Sequence, residues 1–235
     1  MSTSKHAIVV TVLVIVLSAA LVLFFLNVPV LPKQGSTQAI PIDNLFVLMF
    51  CIASVFFAIV IVMLLYSAIV FRSRPGDLED GPGVRGLNWL EATWTIIPLC
   101  IVVGLGIYGA GVLNDITAAQ PEEMEVRVVA AQWSWQFEYA GYGVTSSELW
   151  LPVNRPVLLK ENSLDVVHSF WVPEFRVKQD AVPGMETHLR ITPDVKGDYE
   201  VYCAELCGLL HSYMTAPVHV VDQAAFDNWV QTQKH

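Results

Sequence analysis

Three long apolar runs fill the first half of the chain, and short alternating segments fill the second. Residues 7–26 are 20 positions without a charge, preceded by Lys5. At 1.5 Å per residue such a helix spans about 30 Å, the thickness of a hydrocarbon core. A cleaved secretion signal is the competing reading. Its apolar part normally covers about 7–15 residues, with small residues at the cleavage site just beyond. Here the Ala-rich spot Ser18-Ala19-Ala20 lies inside the run, so the run reads as a retained helix. Residues 45–71 form a second uncharged run, ended by Arg72, Arg74 and Pro75. Residues 89–113 form a third, interrupted only by Glu91, with Pro98 as a possible kink. A connector with Pro29, Pro32, Gly35 and Pro41 follows the first run, and a Gly- and Pro-rich polar link joins the second to the third.

Basic residues set the orientation. Arg72, Arg74 and Arg85 lie in the link between the second and third runs, whereas the connector after the first has only Lys33. The positive-inside rule places that link in the cytoplasm, and everything after about residue 114 on the outer face. The chain therefore divides into a first transmembrane helix (1–26), an outer connector (27–44), a helix hairpin with its cytoplasmic link (45–120) and an outer domain (121–235).

The outer domain alternates with period two. In VRVVAAQWSWQFEY, residues 126–139, Trp133, Trp135, Phe137 and Tyr139 alternate with Gln132, Ser134, Gln136 and Glu138. As one strand this would put four aromatics on one face. Residues 157–160, 166–170, 186–192, 197–202 and 218–221 are further strand candidates, and 223–233 reads as a short tail helix. Regularly spaced short strands between Pro and Gly turns predict an all-β sandwich or barrel.

Composition fits a membrane-anchored chain. It is 54% hydrophobic and 15% charged, with mean hydropathy +0.51; so few charges are unusual for a soluble domain. The net charge of −9 argues against nucleic acid as a partner. Residues 121–235 hold 16 Asp and Glu against 8 Lys and Arg. An acidic outer face would attract a basic soluble partner in a salt-dependent way.

The chemistry concentrates in residues 201–221, VYCAELCGLLHSYMTAPVHVV. Cys203, Glu205, Cys207, His211 and Met214 fall within twelve consecutive positions. Thiolate, thioether and imidazole together suit copper. Gly208 and the short spacing predict a loop between two strands. Two thiolates can bridge two coppers, each of which then needs its own imidazole. His211 supplies one, and His168 in DVVHSFWVPEF supplies the other. A disulfide between the cysteines and a structural zinc are the plainer readings; neither calls for Met214 or His168. Cys51 and Cys100, inside the apolar runs, read as small apolar residues. His6, His188, His219 and His235 match no ligand pattern.

C-x-E-x-C-x3-H-x2-M after HSFWVPEF resembles the binuclear copper (CuA) site of subunit II of the cytochrome c oxidases, over roughly residues 45–229. The resemblance implies N-terminal transmembrane helices (a two-helix hairpin plus an extra helix) followed by a cupredoxin-like Greek-key β-barrel. It implies that Cys203 and Cys207 bridge the coppers, with His168 and His211 as terminal ligands. Met214 and the Glu205 carbonyl would be weak ligands, and the Glu205 side chain would reach a magnesium shared with subunit I. It further implies that Trp133 receives electrons, that Asp165 helps to dock cytochrome c, and that Glu91, in NWLEATWTIIP, opens a proton channel into subunit I. Haems would reside in subunit I only.

Plain packing remains the alternative for Trp133, Trp135 and Phe137, and a helix cap with Asn88 the alternative for Glu91. By the resemblance, this subunit takes electrons from cytochrome c and hands them to haem a in subunit I, where oxygen becomes water and protons are pumped. It would sit in a bacterial plasma membrane or its equivalent, with the copper domain on the periplasmic side and other oxidase subunits as partners. The copper-bearing subunit of a related nitric oxide reductase is the alternative. A quinol oxidase subunit would lack the copper ligands.

Overall fold

The structure, a computed structural model, describes residues 2–73, 76, 83 and 86–234. Arg74 and Arg85, which contribute to the expected orientation, and His235 lie outside the described residues. Three helices come first: α1 (Thr3–Asn27), α2 (Ala39–Val70) and α3 (Asn88–Thr117). All three are long and apolar enough to cross a membrane, and α3 continues through Pro98. Their large apolar side chains point outward all round, as at Val60, Leu64, Ile69, Ile107 and Val102. Such a surface is stable against lipid or other apolar helices rather than water.

Two compact units separate. One comprises α1 with most of α2 and α3. Within it Phe25 of α1 stacks on Phe50 of α2, with centroids 4.8 Å apart, and His6 Nδ1 lies 2.6 Å from the Tyr66 hydroxyl. Helix α3 starts at Asn88 itself, and the Leu87 carbonyl accepts the Leu90 and Glu91 N–H groups. Asn88 is thus a helical residue here rather than the flanking cap residue that a capping box needs.

The other unit comprises Leu31–Asp43 and the chain from Gly111 onward. It holds ten strands: β1 (Met124–Ala131), β2 (Ser134–Tyr139), β3 (Val144–Ser146), β4 (Leu149–Pro152), β5 (Val157–Ser163), β6 (His168–Trp171), β7 (Lys178–Ala181), β8 (Thr187–Ile191), β9 (Gly197–Cys203) and β10 (Thr215–Val221). They form two five-stranded sheets, β3-β2-β1-β5-β8 and β4-β10-β9-β6-β7. Most neighbours are antiparallel, but β1 lies parallel to β5 and β10 parallel to β4. These parallel pairs arise because the chain changes sheets between them, giving the cupredoxin-like sandwich. One core is shared by both sheets, centred on Phe137, Leu149, Leu159, Phe170, Ile191 and Val218.

The expected single strand over residues 126–139 is instead a hairpin. β1 and β2 pair antiparallel with Ala131 opposite Ser134, and Gln132 and Trp133 form the turn. Trp135, Phe137 and Tyr139 do share the buried face, but Trp133 belongs to the turn. A two-residue turn leaves the even–odd alternation unbroken, so the pattern cannot reveal it.

Residues 31–43 are stitched to the sandwich. Gly35 N–H donates to the Glu174 carbonyl (2.9 Å), Thr37 N–H to that of Thr192 (3.0 Å), and the Ser36 hydroxyl to that of Phe175 (3.0 Å). A Cβ on Gly35 would stand 3.2 Å from the Glu174 Cβ, so the close approach favours glycine. Arg176 bonds Asp43 at 2.6 Å, both largely buried. The tail helix α4 (Gln223–Thr232) is capped by Asp222, which accepts the Ala225 N–H at 2.9 Å. It buries Phe226 and Trp229 against Tyr139 and Trp150, a gain of about 1.5–3 kcal/mol per side chain.

Candidate metal centre

Strands β9 and β10 meet at one pole of the sandwich; the loop between them carries Glu205, Cys207, His211 and Met214, and Cys203 ends β9. Strand β6 brings His168 alongside, through the pairing of Phe170 with Cys203. The two cysteines are free, with sulfurs 3.8 Å apart. His168 Nδ1 lies 3.8 Å from Cys203 Sγ, and His211 Nδ1 lies 3.5 Å from Cys207 Sγ. Met214 Sδ is 3.8 Å from Cys207 Sγ, and the Glu205 carbonyl 3.2 Å from Cys203 Sγ. His168, Cys203 and Cys207 form the one compact metal-type group among the described residues. His168 and Met214 are fully buried, and Cys203 and Cys207 nearly so.

These spacings fit a metal. Two donors at about 2.0–2.3 Å from one tetrahedral ion stand about 3.3–3.8 Å from each other. The donors also divide: His168 goes with Cys203, while His211 and Met214 go with Cys207. Burial pushes the Cys207 thiol up to about 11, and the neighbouring Cys203 adds to this. A bound cation would reverse that preference and release the proton.

A polar frame surrounds the donors. Asp165 Oδ1 sits 2.8 Å from His168 Nε2, the nitrogen not facing the cysteine. The same carboxylate accepts the Gln132 N–H (2.7 Å) and the Val166 N–H (2.6 Å). Partial burial pushes Asp165 up, but these bonds outweigh it and hold the carboxyl at about 2. The Gln132 amide donates to the Cys207 carbonyl at 2.5 Å. Trp133 lies over Gly208, where an added Cβ would stand 3.4 Å from the indole and 2.8 Å from the Gln132 amide nitrogen. Trp135 meets the His168 ring edge-on, with centroids 6.2 Å apart.

Of the nine residues singled out in the sequence, eight lie at this pole or in its frame: Trp133, Asp165, His168, Cys203, Glu205, Cys207, His211 and Met214. Asp165 has 31% of its side chain exposed and spends its oxygens on the frame. The Glu205 carboxylate stands on the exposed side of the loop. Leu206, Leu209 and Tyr213 are 78–88% exposed around it. Glu91 is elsewhere, in the first turn of α3; its Oε1 lies 2.7 Å from where a Cβ on Gly86 would be. Gln132, and Ser163 whose hydroxyl lies 3.3 Å from Asp165 Oδ1, were not anticipated, because hydrogen-bonding roles across the fold leave no trace in local spacing.

Comparison with known proteins is consistent along the chain. The family model for the transmembrane domain of cytochrome c oxidase subunit II matches residues 26–111, and that for its periplasmic domain matches residues 143–221. Helix α1 lies almost wholly ahead of the first match. The cytochrome c oxidase subunit 2 of Thermostichus vulcanus is 35% identical, over 85% of this chain and 77% of its own length. That of Synechocystis sp. is 32% identical, over 87% and 76%. The solved periplasmic domain of subunit II from Bradyrhizobium japonicum is 26% identical, covering 50% of this chain and 97% of that one at a TM-score of 0.48.

Proposed function

The chain belongs to the cytochrome c oxidase subunit II family, and from that membership and the converging donors we propose that it binds a CuA-type copper pair and receives electrons for an oxidase. The carrying observation is that each of two sulfurs, 3.8 Å apart, has its own imidazole at 3.5–3.8 Å. A single ion cannot take two thiolates, two imidazoles, a thioether and a carbonyl in a tetrahedral shell, whereas two ions sharing the thiolates can. His168 would serve one ion, and His211 with Met214 the other; the Glu205 carbonyl would complete the set. When bound, the copper pair would take up and give up one electron at a time.

The chain's own residues prepare that task. Asp165 fixes His168 with its proton on Nε2, leaving Nδ1 free to donate. Gln132 ties the ligand loop to the β1–β2 turn. Burial of His168, the cysteines and Met214 excludes water and keeps the geometry from relaxing. Trp133, over Gly208 at the loop, is the group we assign to receive electrons from cytochrome c. The acidic outer domain would draw in a basic cytochrome.

The Glu205 carboxylate, exposed on the loop, is assigned to a magnesium shared with subunit I. Glu91 is assigned to proton uptake at the opposite end of α3. Electrons would pass on to haem a in subunit I, which would reduce oxygen and pump protons. The division into a first helix, a connector, a helix hairpin and an outer domain is proposed with two refinements: residues 31–43 fold with the outer domain, and that unit begins at Gly111 rather than at residue 121.

Metal analysis of the purified full chain tests the central claim. Two coppers per chain with a mixed-valence near-infrared and electron-spin-resonance signature are expected. A single zinc, or a Cys203–Cys207 disulfide in the folded protein, would overturn it.

A further inference from the structure

Strand β5 carries an acid where the fold calls for an apolar residue. Val157, Leu159, Glu161 and Ser163 are all buried on its core face, while Lys160 and Asn162 are only half-buried. Glu161 is fully enclosed, and neither carboxyl oxygen has a hydrogen-bond partner. Its strand neighbours are Val128 on β1 and Thr187 on β8.

The cations on β5 and β8 already have acidic partners. Lys160 bonds Glu125 at 2.6 Å, His188 bonds Glu186 at 3.1 Å, and Arg190 bonds Glu123 at 2.8 Å. The charged group acting on it is another acid, Asp180 on β7, whose carbonyl accepts the Thr187 hydroxyl at 2.6 Å. From β6, His168 is the titratable group on the core side. Burial, reinforced by Asp180, holds the Glu161 carboxyl well above the usual carboxylate range.

Strand β5 runs from this acid toward the metal centre, with no hydrogen bond leaving the carboxyl itself. Ser163 follows two residues later on the same face, about 6.6 Å along the strand. Its hydroxyl donates to the Val166 carbonyl at 2.5 Å and lies 3.3 Å from Asp165 Oδ1, which lies 2.8 Å from His168 Nε2. We propose that Glu161 is a proton-holding group whose charge is linked through space, across the buried core, to that of the metal centre, which Ser163, Asp165 and His168 place beyond the end of its strand. This rests on the copper reading above. Negative charge added at the centre raises the proton affinity of a nearby buried acid. By reciprocity, a proton on Glu161 raises the centre's affinity for an electron. The balance is one electron from the donor and one proton from solvent onto the Glu161 carboxylate.

The sign follows. Where Glu161 is protonated in both redox states, the midpoint potential is independent of pH. On the alkaline side, where the oxidised protein has lost that proton, reduction takes it back. The potential then falls with pH, by at most tenfold in reduction constant per unit, about 59 mV.

The test uses the full chain in detergent, loaded with copper and titrated in a mediated electrochemical cell over a range of pH. Glu161→Gln and Glu161→Leu are compared with the parent. The parent should show the alkaline fall and, on reduction, growth of the infrared carbonyl band of a protonated carboxyl. Both signals should vanish in the two variants while their copper spectra match the parent's. Equal slopes in parent and variants, or an unchanged infrared band, overturn the linkage and leave the copper reading standing. A parent chain that binds no copper overturns both. In the metal-free chain the same band should persist at neutral pH; an ionised Glu161 there also overturns the proposal.

Discussion

Asp165 Oδ1 stands 2.8 Å from Nε2 of His168, and Nδ1 of the same ring faces Cys203 Sγ at 3.8 Å. One nitrogen is thereby committed to an acid and the other freed for a metal. The same acid accepts two backbone N–H groups, so the strand β6 ligand and the β1–β2 turn are held by one carboxylate.

Replacing that acid should loosen the ligand. Asp165→Ala leaves His168 without its anchor and the Gln132 N–H without its acceptor. Copper affinity is expected to fall about 10–100-fold, as for other outer partners of metal-bound imidazoles. Competition with a chelator of known affinity measures it. An unchanged affinity would assign Asp165 to docking alone.

Gly208 is expected to tolerate no side chain. Its φ of +130° is one that L residues rarely adopt, and a Cβ would press on the Gln132 amide nitrogen at 2.8 Å. Gly208→Ala should cost about 1–3 kcal/mol and shift the copper spectrum by moving the ligand loop. Thermal unfolding and the near-infrared band report the two effects separately.

Trp133→Phe should slow electron uptake from reduced cytochrome c and leave the copper spectrum unaltered. The ring lies over the loop at Gly208 rather than among the donors, so a change in spectrum is not expected. Stopped-flow mixing with the assembled oxidase gives the rate. Equal rates for parent and variant would return Trp133 to a packing role.

Glu161 should make stability fall as pH rises. Its carboxyl is raised well above 4.5 in the folded protein, so the folded state keeps a proton that the unfolded chain releases. Below about pH 4.5 both states are protonated and there is no penalty. Above it the folded state loses up to about 1.4 kcal/mol per pH unit, until the folded group itself ionises. Glu161→Gln lacks this dependence, so the gap in melting temperature between variant and parent should widen toward neutral pH. Parallel curves would mean that the carboxyl has found a partner.

Local pattern was enough for several features. Three apolar runs long enough to span a bilayer, with Glu91 the one charge among them, give three helices, because a helix satisfies its own backbone in lipid. Cys203, Cys207, His211 and Met214 converge because they fall within twelve positions that end one strand and form the short loop to its antiparallel partner. Their residue types suit copper whatever the fold around them.

What the pattern left open depended on distant contacts. Alternation through residues 126–139 conceals the turn that moves Trp133 off the strand and onto the ligand loop. Residues 31–43 read as a connector, yet their hydrogen bonds are to Glu174, Phe175 and Thr192. Asp165 is three positions from His168, a spacing that suits docking or anchoring equally; only the approach of β6 to β9 and of the β1–β2 turn decides where its oxygens point. Glu161 appears in VLLKENS as one polar residue among several, and its isolation exists only once two sheets have closed over it. The sequence alone determined which chemistry is present, because side-chain identity is local. The tertiary structure decided which groups share one another's fields, because that depends on strands far apart in the chain.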